Sequence, residues 1–189
     1  MDEVITGFGR TGSNFGADAF GVTPDIMTIA KGMTSGTVPM GGVLVKEEIY
    51  ETFMTGPEDA IEFFHGYTYS GHPLAAAAGL ATLNVYEEEG LFEKAKELIP
   101  VLEEEVHKIK GTRYVIDIRN FGLLGAIELE PIEGKPTARA LSVFRECYDR
   151  GVLIRTTGDT VAMCPPFIAS ADDVRTIVAT IKESLEAID

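Results

Sequence analysis

Residues 24–42 read PDIMTIAKGMTSGTVPMGG, and the rest of the chain takes its meaning from this stretch. Ile26 to Ala30 form a short, mostly apolar run, the pattern of a buried strand. Lys31 closes the run and is followed at once by Gly32, with Gly36, Gly41 and Gly42 close behind. The order predicts a lysine that leaves a strand end and enters glycine-rich backbone, where loops bind ligands. Desolvation lowers the pKa of an amine, because burial penalises its charged form. A lysine held that way attacks carbonyls and forms Schiff bases. Taken alone, Lys31 reads first as a strand-end lysine whose ammonium reaches water, and other stretches must decide between the two.

Composition narrows the field. The 189 residues are 45% hydrophobic and 24% charged, ordinary for a soluble globular protein with room for one large domain or two small ones. Thirty acidic residues against 16 basic ones leave a formal charge of −14. That balance argues against nucleic acid and anionic membrane as partners, since both call for clustered Lys and Arg. MDEVITGFGR lacks the basic start and apolar core of a signal peptide, and Leu74 to Leu83 is too short to span a bilayer. Cys147 and Cys164 lie outside any CxxC, which predicts two buried, reduced thiols and a cytoplasmic location. His65, His72 and His107 lack zinc-site spacing, so no metal is indicated.

Outward from the lysine, Val4 and Ile5 read as the tail of a strand. GFGRTG then matches GxGxxG through Gly7, Gly9 and Gly12. A dinucleotide loop should open an amphipathic helix, whereas Ser13 to Pro24 carries Gly16, Gly21 and a proline and reads as an irregular loop. Ile49, Tyr50 and Phe53 give 46–54 helical spacing. FFHGYTYSGHP at 63–73 is dense in aromatic, hydroxyl and glycine residues. Pro73 fits a first helical position, and Leu74, Ala77, Ala78, Ala81 and Val85 predict a small-residue packing face ending at Gly90. Phe92, Ala95, Leu98, Leu102, Val106 and Ile109 predict a helix to about Lys110, kinked at Pro100. YVIDIR and LLGAIELE read as strands, Thr137 to Arg150 as a helix, and VLIR and TVAMC as strands around Thr157-Gly158-Asp159. Ser170 caps the last helix, with Asp173 three residues on. The shift in composition near Gly111 predicts two domains, 1–111 and 112–189, the second a small α+β unit.

Four stretches in order carry a family resemblance: DEVITGFGRTG at 2–12, DIMTIAKG at 25–32, GYTYSGHPLAAAAG at 66–79, and VLIRTTGD at 152–159 with MCPPF at 163–167. Together they resemble the class III pyridoxal-phosphate aminotransferases. The resemblance covers essentially the whole chain but only the C-terminal portion of that longer family. It implies an α/β fold, fold-type I of the PLP-transferases, with the C-terminal part of the large domain followed by the small α+β domain. Pyridoxal phosphate is then the cofactor, an electron sink needing a protonated ring nitrogen, a held phosphate and a lysine. Lys31 is implied as the lysine that joins the aldehyde and moves the proton. Asp2 would pair with the pyridinium nitrogen, and Val4 would pack on the ring. Thr68 resembles the threonine that reaches the phosphate of the neighbouring subunit's cofactor. Arg155 resembles the arginine that clamps a substrate carboxylate. Read locally, Thr68 serves as well to cap a turn, Arg155 to face water, and His65 and His72 as loop and helix-start hydrogen-bonders.

Ile5 and Thr6 after DEV, with RTTGD and CPP, are more similar to the omega-amino-acid:pyruvate members than to ornithine-type members, which usually read DEVQ. The partners implied are a small-molecule omega-amino donor such as beta-alanine, taurine or putrescine, a 2-oxo acid acceptor, and a second subunit in a homodimer with shared sites. The family's phosphate-binding loop and stacking aromatic precede the DEV motif. The expectation is therefore a chain that starts in mid-domain, exposes strand edges and apolar faces, and has little transaminase activity alone. Two other readings stand beside this one: a non-catalytic remnant kept for dimer contacts, and a nucleotide-binding module using GFGRTG.

Overall fold

In the computed structural model, which describes residues 1–188, the apolar run before Lys31 is strand β1, Ile26–Ile29. β2, Gly42–Val45, returns antiparallel beside it, with Ile26 opposite Val45 and Ile29 opposite Gly42. The other edge of β1 takes the first residues of the chain in parallel, Asp2 pairing with Thr28. The Thr28 N–H donates to the Met1 carbonyl at 3.0 Å, and the Glu3 N–H donates to the Thr28 carbonyl at 2.8 Å. Burial departs from expectation: Ile26, Val43, Leu44 and Val45 are all exposed. A ribbon this narrow has too few neighbours to cover its two faces.

Glu3 is fully buried, and the reason is local. Its carboxylate accepts the N–H groups of Gly16 at 2.9 Å and Ala17 at 2.6 Å, together with the Thr6 hydroxyl. Those amides open the short helix α1, Gly16–Phe20, which falls inside the stretch expected to be irregular. The carboxylate satisfies orphan donors at the helix start and folds residues 4–15 back onto the Asp2 segment. Gly7 is needed at the tightest point, since a Cβ there would meet the Glu3 carbonyl oxygen at 2.8 Å.

After β2 come α2, Glu47–Phe53, and α3, Pro73–Glu88. Pro73 does open α3, and the Nδ1 of His72 accepts the Leu74 N–H at 3.2 Å. The buried face of α3 is Ala75, Gly79 and Thr82 with half-buried Tyr86, not the predicted one; Leu74 and Val85 are exposed. Small side chains win that face because backbone lies close to it: a Cβ at Gly79 would sit 3.6 Å from the Met33 carbonyl oxygen.

The chain parts into compact units at Gly90, Met1–Gly90 and Leu91–Asp189. Helix α4, Leu91–His107, continues through Pro100 and belongs to the second unit, whereas the sequence placed the boundary at Gly111. The reason is its apolar stripe, since Leu98, Leu102 and Val106 join that unit's core. β3, Val115–Phe121, and β4, Leu124–Leu129, form a hairpin turning at Gly122, where φ is +56°. Helix α5, Ala138–Asp149, leads to β5, Arg155–Thr157, and β6, Thr160–Met163, before α6, Ala171–Ala187. The sheet is antiparallel in the order β3-β4-β6-β5. β5 begins at Arg155 instead of ending there, because Ile154 points into the core and cross-strand pairing starts at Arg155 opposite Ala162.

Alternation in β4 and β6 buries Gly125, Ile127, Leu129, Val161 and Met163 on one face, against α4, α5 and α6. Side chains such as Leu102, Ile127, Leu129 and Ile181 are fully buried, each worth about 1.5–3 kcal/mol relative to exposure. Cys147 lies in that core, and burial pushes its thiol up. Cys164 is exposed, contrary to the expectation of two buried thiols. No helix among the described residues is long and apolar enough to cross a membrane.

Glu3→Ala should cost about 1–3 kcal/mol in chemical denaturation, because the buried amides of α1 lose their acceptor; a smaller loss would mean that water replaces it. A second expectation concerns pH. The N–H and hydroxyl of Ser170 hold the Asp173 carboxyl below its usual range. A carboxyl depressed in the folded state adds stability above about pH 4, its unfolded value, and loses that contribution as pH falls through the folded one. Asp173→Asn should therefore shrink the difference between urea midpoints at about pH 7 and about pH 3. An unchanged difference would count against the cap.

Candidate active site

Lys31 begins a single 3-10 turn, Lys31–Met33, directly beyond β1 and Ala30. Its φ is +43°, a left-handed conformation that costs a non-glycine residue about 1–2 kcal/mol. The turn is tied by Met33 N–H to the Ala30 carbonyl at 3.1 Å, and by Thr34 and Gly36 N–H to the Lys31 carbonyl at 3.3 Å. Thr34 then donates its hydroxyl to the Val38 carbonyl at 2.7 Å and steadies the loop toward β2. The Lys31 side chain is exposed, as the strand-end reading has it and not desolvated as the Schiff-base reading supposed, and makes no ion pair among the described residues.

Asp2 is exposed, and its Oδ1 accepts the Val4 N–H at 3.0 Å and the Thr28 hydroxyl at 3.4 Å. Val4 is half-buried. Since the Asp2 segment and β1 run parallel, Asp2 and Lys31 leave the sheet at the same carboxyl end. That is the end at which α/β sheets bind ligands. Backbone pairing thus sets Asp2 beside Thr28, three residues before Lys31, a placement that no spacing in sequence could reveal.

Thr68 is exposed and lines a cavity of about 530 Å³ that also takes in Met40, Gly41 and residues 65–72. The cavity wall is aromatic, with the His65 ring stacked on Tyr67 at 4.2 Å. The Nδ1 of His65 accepts the Tyr67 N–H at 3.4 Å, so both histidines act as the loop and helix-start hydrogen-bonders expected of them. Arg155 belongs to the second unit, where it is exposed and lines a groove of about 320 Å³ with Leu153, Met163, Cys164 and Pro165.

Three further residues matter here, and sequence reading passed over their roles. Glu3 fixes the backbone of Asp2 from the next position. Tyr86 donates its hydroxyl to the Gly32 carbonyl at 2.7 Å, and the Phe8 side chain lies against Gly32. The 4-3-4 spacing of Ala75, Gly79, Thr82 and Tyr86 was the available signal for that contact. GFGRTG forms turns, and the first amides of the helix after it are taken by Glu3, so a phosphate finds its donors already bonded.

As a donor set, these side chains suit pyridoxal phosphate. The Oδ2 of Asp2 can accept from a protonated ring nitrogen, the Lys31 amine is available to an aldehyde, and the Thr68 hydroxyl can donate to a phosphate. No cluster of His, Cys, Asp and Glu suited to a metal ion occurs among the described residues.

Comparison with known proteins shows the family. The family model for aminotransferase class-III matches residues 1–185. The chain is 51% identical over 189 residues to the omega-aminotransferase of Caulobacter vibrioides, covering all of this chain and 43% of that protein. It is 49% identical over 190 residues to the omega-amino acid–pyruvate aminotransferase of Pseudomonas putida, covering 42% of that protein. Among solved structures, the (S)-enantioselective omega-transaminase from Thermomicrobium roseum aligns with a TM-score of 0.88 and 37% identity, over 98% of this chain and 42% of that one. An aminotransferase of Bacillus anthracis gives 0.87 and 37%, over 99% and 44%. The chain spans less than half the length of these relatives. With a family match running from Asp2 through Lys31 and Thr68 to Arg155, the chain belongs to the class III aminotransferases.

Proposed function

We propose that this chain carries the lysine-bearing part of a pyridoxal-phosphate-dependent transaminase that moves an amino group from an omega-amino acid or amine to pyruvate or a similar 2-oxo acid. The reading includes a ping-pong cycle, a cytoplasmic homodimer and sites shared between subunits. Its support is one observation above the others: an exposed amine on a strained turn, at the same sheet end as a carboxylate with an open oxygen. Names of relatives point the same way, among them the beta-alanine–pyruvate aminotransferase of Pseudomonas aeruginosa at 46% identity.

When bound, pyridoxal phosphate supplies an electron sink for charge developing on the substrate carbon. The residues of this chain do the rest. Asp2 would hold the proton on the ring nitrogen through its carboxylate, with Oδ1 anchored by Thr28 and Val4. Val4 would give the ring an apolar neighbour. Lys31 would hold the cofactor and, once displaced by substrate, carry the proton on Nζ between the two carbons that exchange it. Thr68 would donate its hydroxyl to the phosphate of the partner's cofactor, where an oxygen dianion favours such donors. Arg155 would engage a substrate carboxylate with its planar fork. The exposure of Thr68 and Arg155 leaves both free for such contacts.

Incubation with pyridoxal phosphate, borohydride reduction and peptide mapping tests the reading. Label should concentrate on Lys31 over Lys46, an exposed lysine of the same unit, and Lys31→Ala should remove that excess. Label spread evenly over the lysines would overturn the assignment.

A further inference from the structure

The turn that carries Lys31 is gripped from outside itself. A single 3-10 turn is too short to hold its own geometry, and its internal hydrogen bonds are 3.1–3.3 Å long. Left to those bonds, a residue at φ +43° would relax toward ordinary backbone. The Gly32 carbonyl accepts two donors, the Ser35 N–H at 3.3 Å and the Tyr86 hydroxyl at 2.7 Å. The shorter bond comes from α3, a helix of 16 residues, across a separation of 54 positions.

Packing around that bond leaves the turn little freedom. A Cβ at Gly32 would meet the Cβ of Phe8 at 2.8 Å, so the peptide rests directly on that side chain. The Phe8 ring lies 6.4 Å from the Tyr86 ring and 5.4 Å from that of Phe15. Gly79, on the same buried face of α3 as Tyr86, faces the Met33 carbonyl closely enough that a Cβ would come to 3.6 Å. Burial pushes the Tyr86 hydroxyl up, against the opposing charge of Arg10, so it stays a protonated donor in the neutral range.

We infer that Tyr86 is a positioning residue for Lys31: its hydroxyl pins the Gly32 carbonyl and so keeps the lysine in its left-handed turn with the amine presented outward. The inference rests on the reading of Lys31 as the cofactor-binding amine. Tyr86 touches neither substrate nor cofactor in this role; it acts through the backbone.

Tyr86→Phe in the full chain tests it, since the ring is kept and only the hydroxyl is lost. Hydrogen exchange at Ser35 and Gly36 should quicken roughly three- to tenfold, while the β1 amides keep their protection. Pyridoxal phosphate with borohydride should label Lys31 roughly three- to tenfold less relative to Lys46 than in the wild type. Faster exchange with unchanged labelling would make Tyr86 a structural brace and overturn the positioning role. Unchanged exchange, or loss of β1 protection as well, would also overturn it. If wild-type lysines label evenly, the reading of Lys31 itself fails, and the positioning role falls with it. That outcome is distinct from a wild type that favours Lys31 and a variant that does so equally.

Discussion

Two backbone hydrogen bonds at Thr28 set the geometry of the candidate site. They tie the Asp2 segment in parallel to β1, so that a carboxylate and a lysine separated by 28 intervening positions leave one sheet end together. Parallel neighbours cannot be joined by a tight turn; the connection must travel away and come back. Here it is the glycine-bearing stretch from Gly7 through α1, and Glu3 anchors it by accepting the amides where that helix begins. A glutamate with no chemistry of its own in view therefore decides where its neighbour's carboxylate stands.

The two units store their stability differently. The second is a closed two-layer arrangement, its sheet face and three helices sharing one apolar core from Ala95 to Ile188. The first buries few apolar side chains, among them Phe8, Ala17 and Ala75, and exposes Val43, Leu44, Leu80 and Leu83. What order it has comes from specific polar ties, the Glu3 carboxylate, the Thr34 hydroxyl and the Tyr86 hydroxyl, and from close backbone approaches at Gly7 and Gly32. Ties of that kind fix positions to fractions of an ångström, which suits a unit that presents functional groups.

Some of this was legible in residues alone. YVIDIR and LLGAIELE marked the hairpin strands, the apolar positions from Phe92 to Ile109 marked α4, Pro73 marked the start of α3, and Ser170 with Asp173 marked a cap. Boundaries were less so. β5 slid to Arg155 because cross-strand pairing, not the apolar run, defines a strand, and α4 moved units because its stripe fits a core that forms only later in the chain. The predicted face of α3 failed for a related reason. A small-residue face was expected through Leu74, Ala77, Ala78, Ala81 and Val85, but the helix turns Ala75, Gly79, Thr82 and Tyr86 inward, with Gly79 beside the Met33 carbonyl.

Sequence by itself determined the family and the identity of the candidate groups, Asp2, Val4, Lys31, Thr68 and Arg155, because ordered motifs survive in one dimension. Tertiary structure alone decided that Asp2 and Lys31 share a sheet end, that Glu3 is an internal cap, and that Tyr86 reaches Gly32. Each of these is a contact between residues far apart in the chain, made by one donor and one acceptor. Periodicity carries information about faces of helices and strands, whereas a single hydrogen bond across 54 positions leaves no period to read.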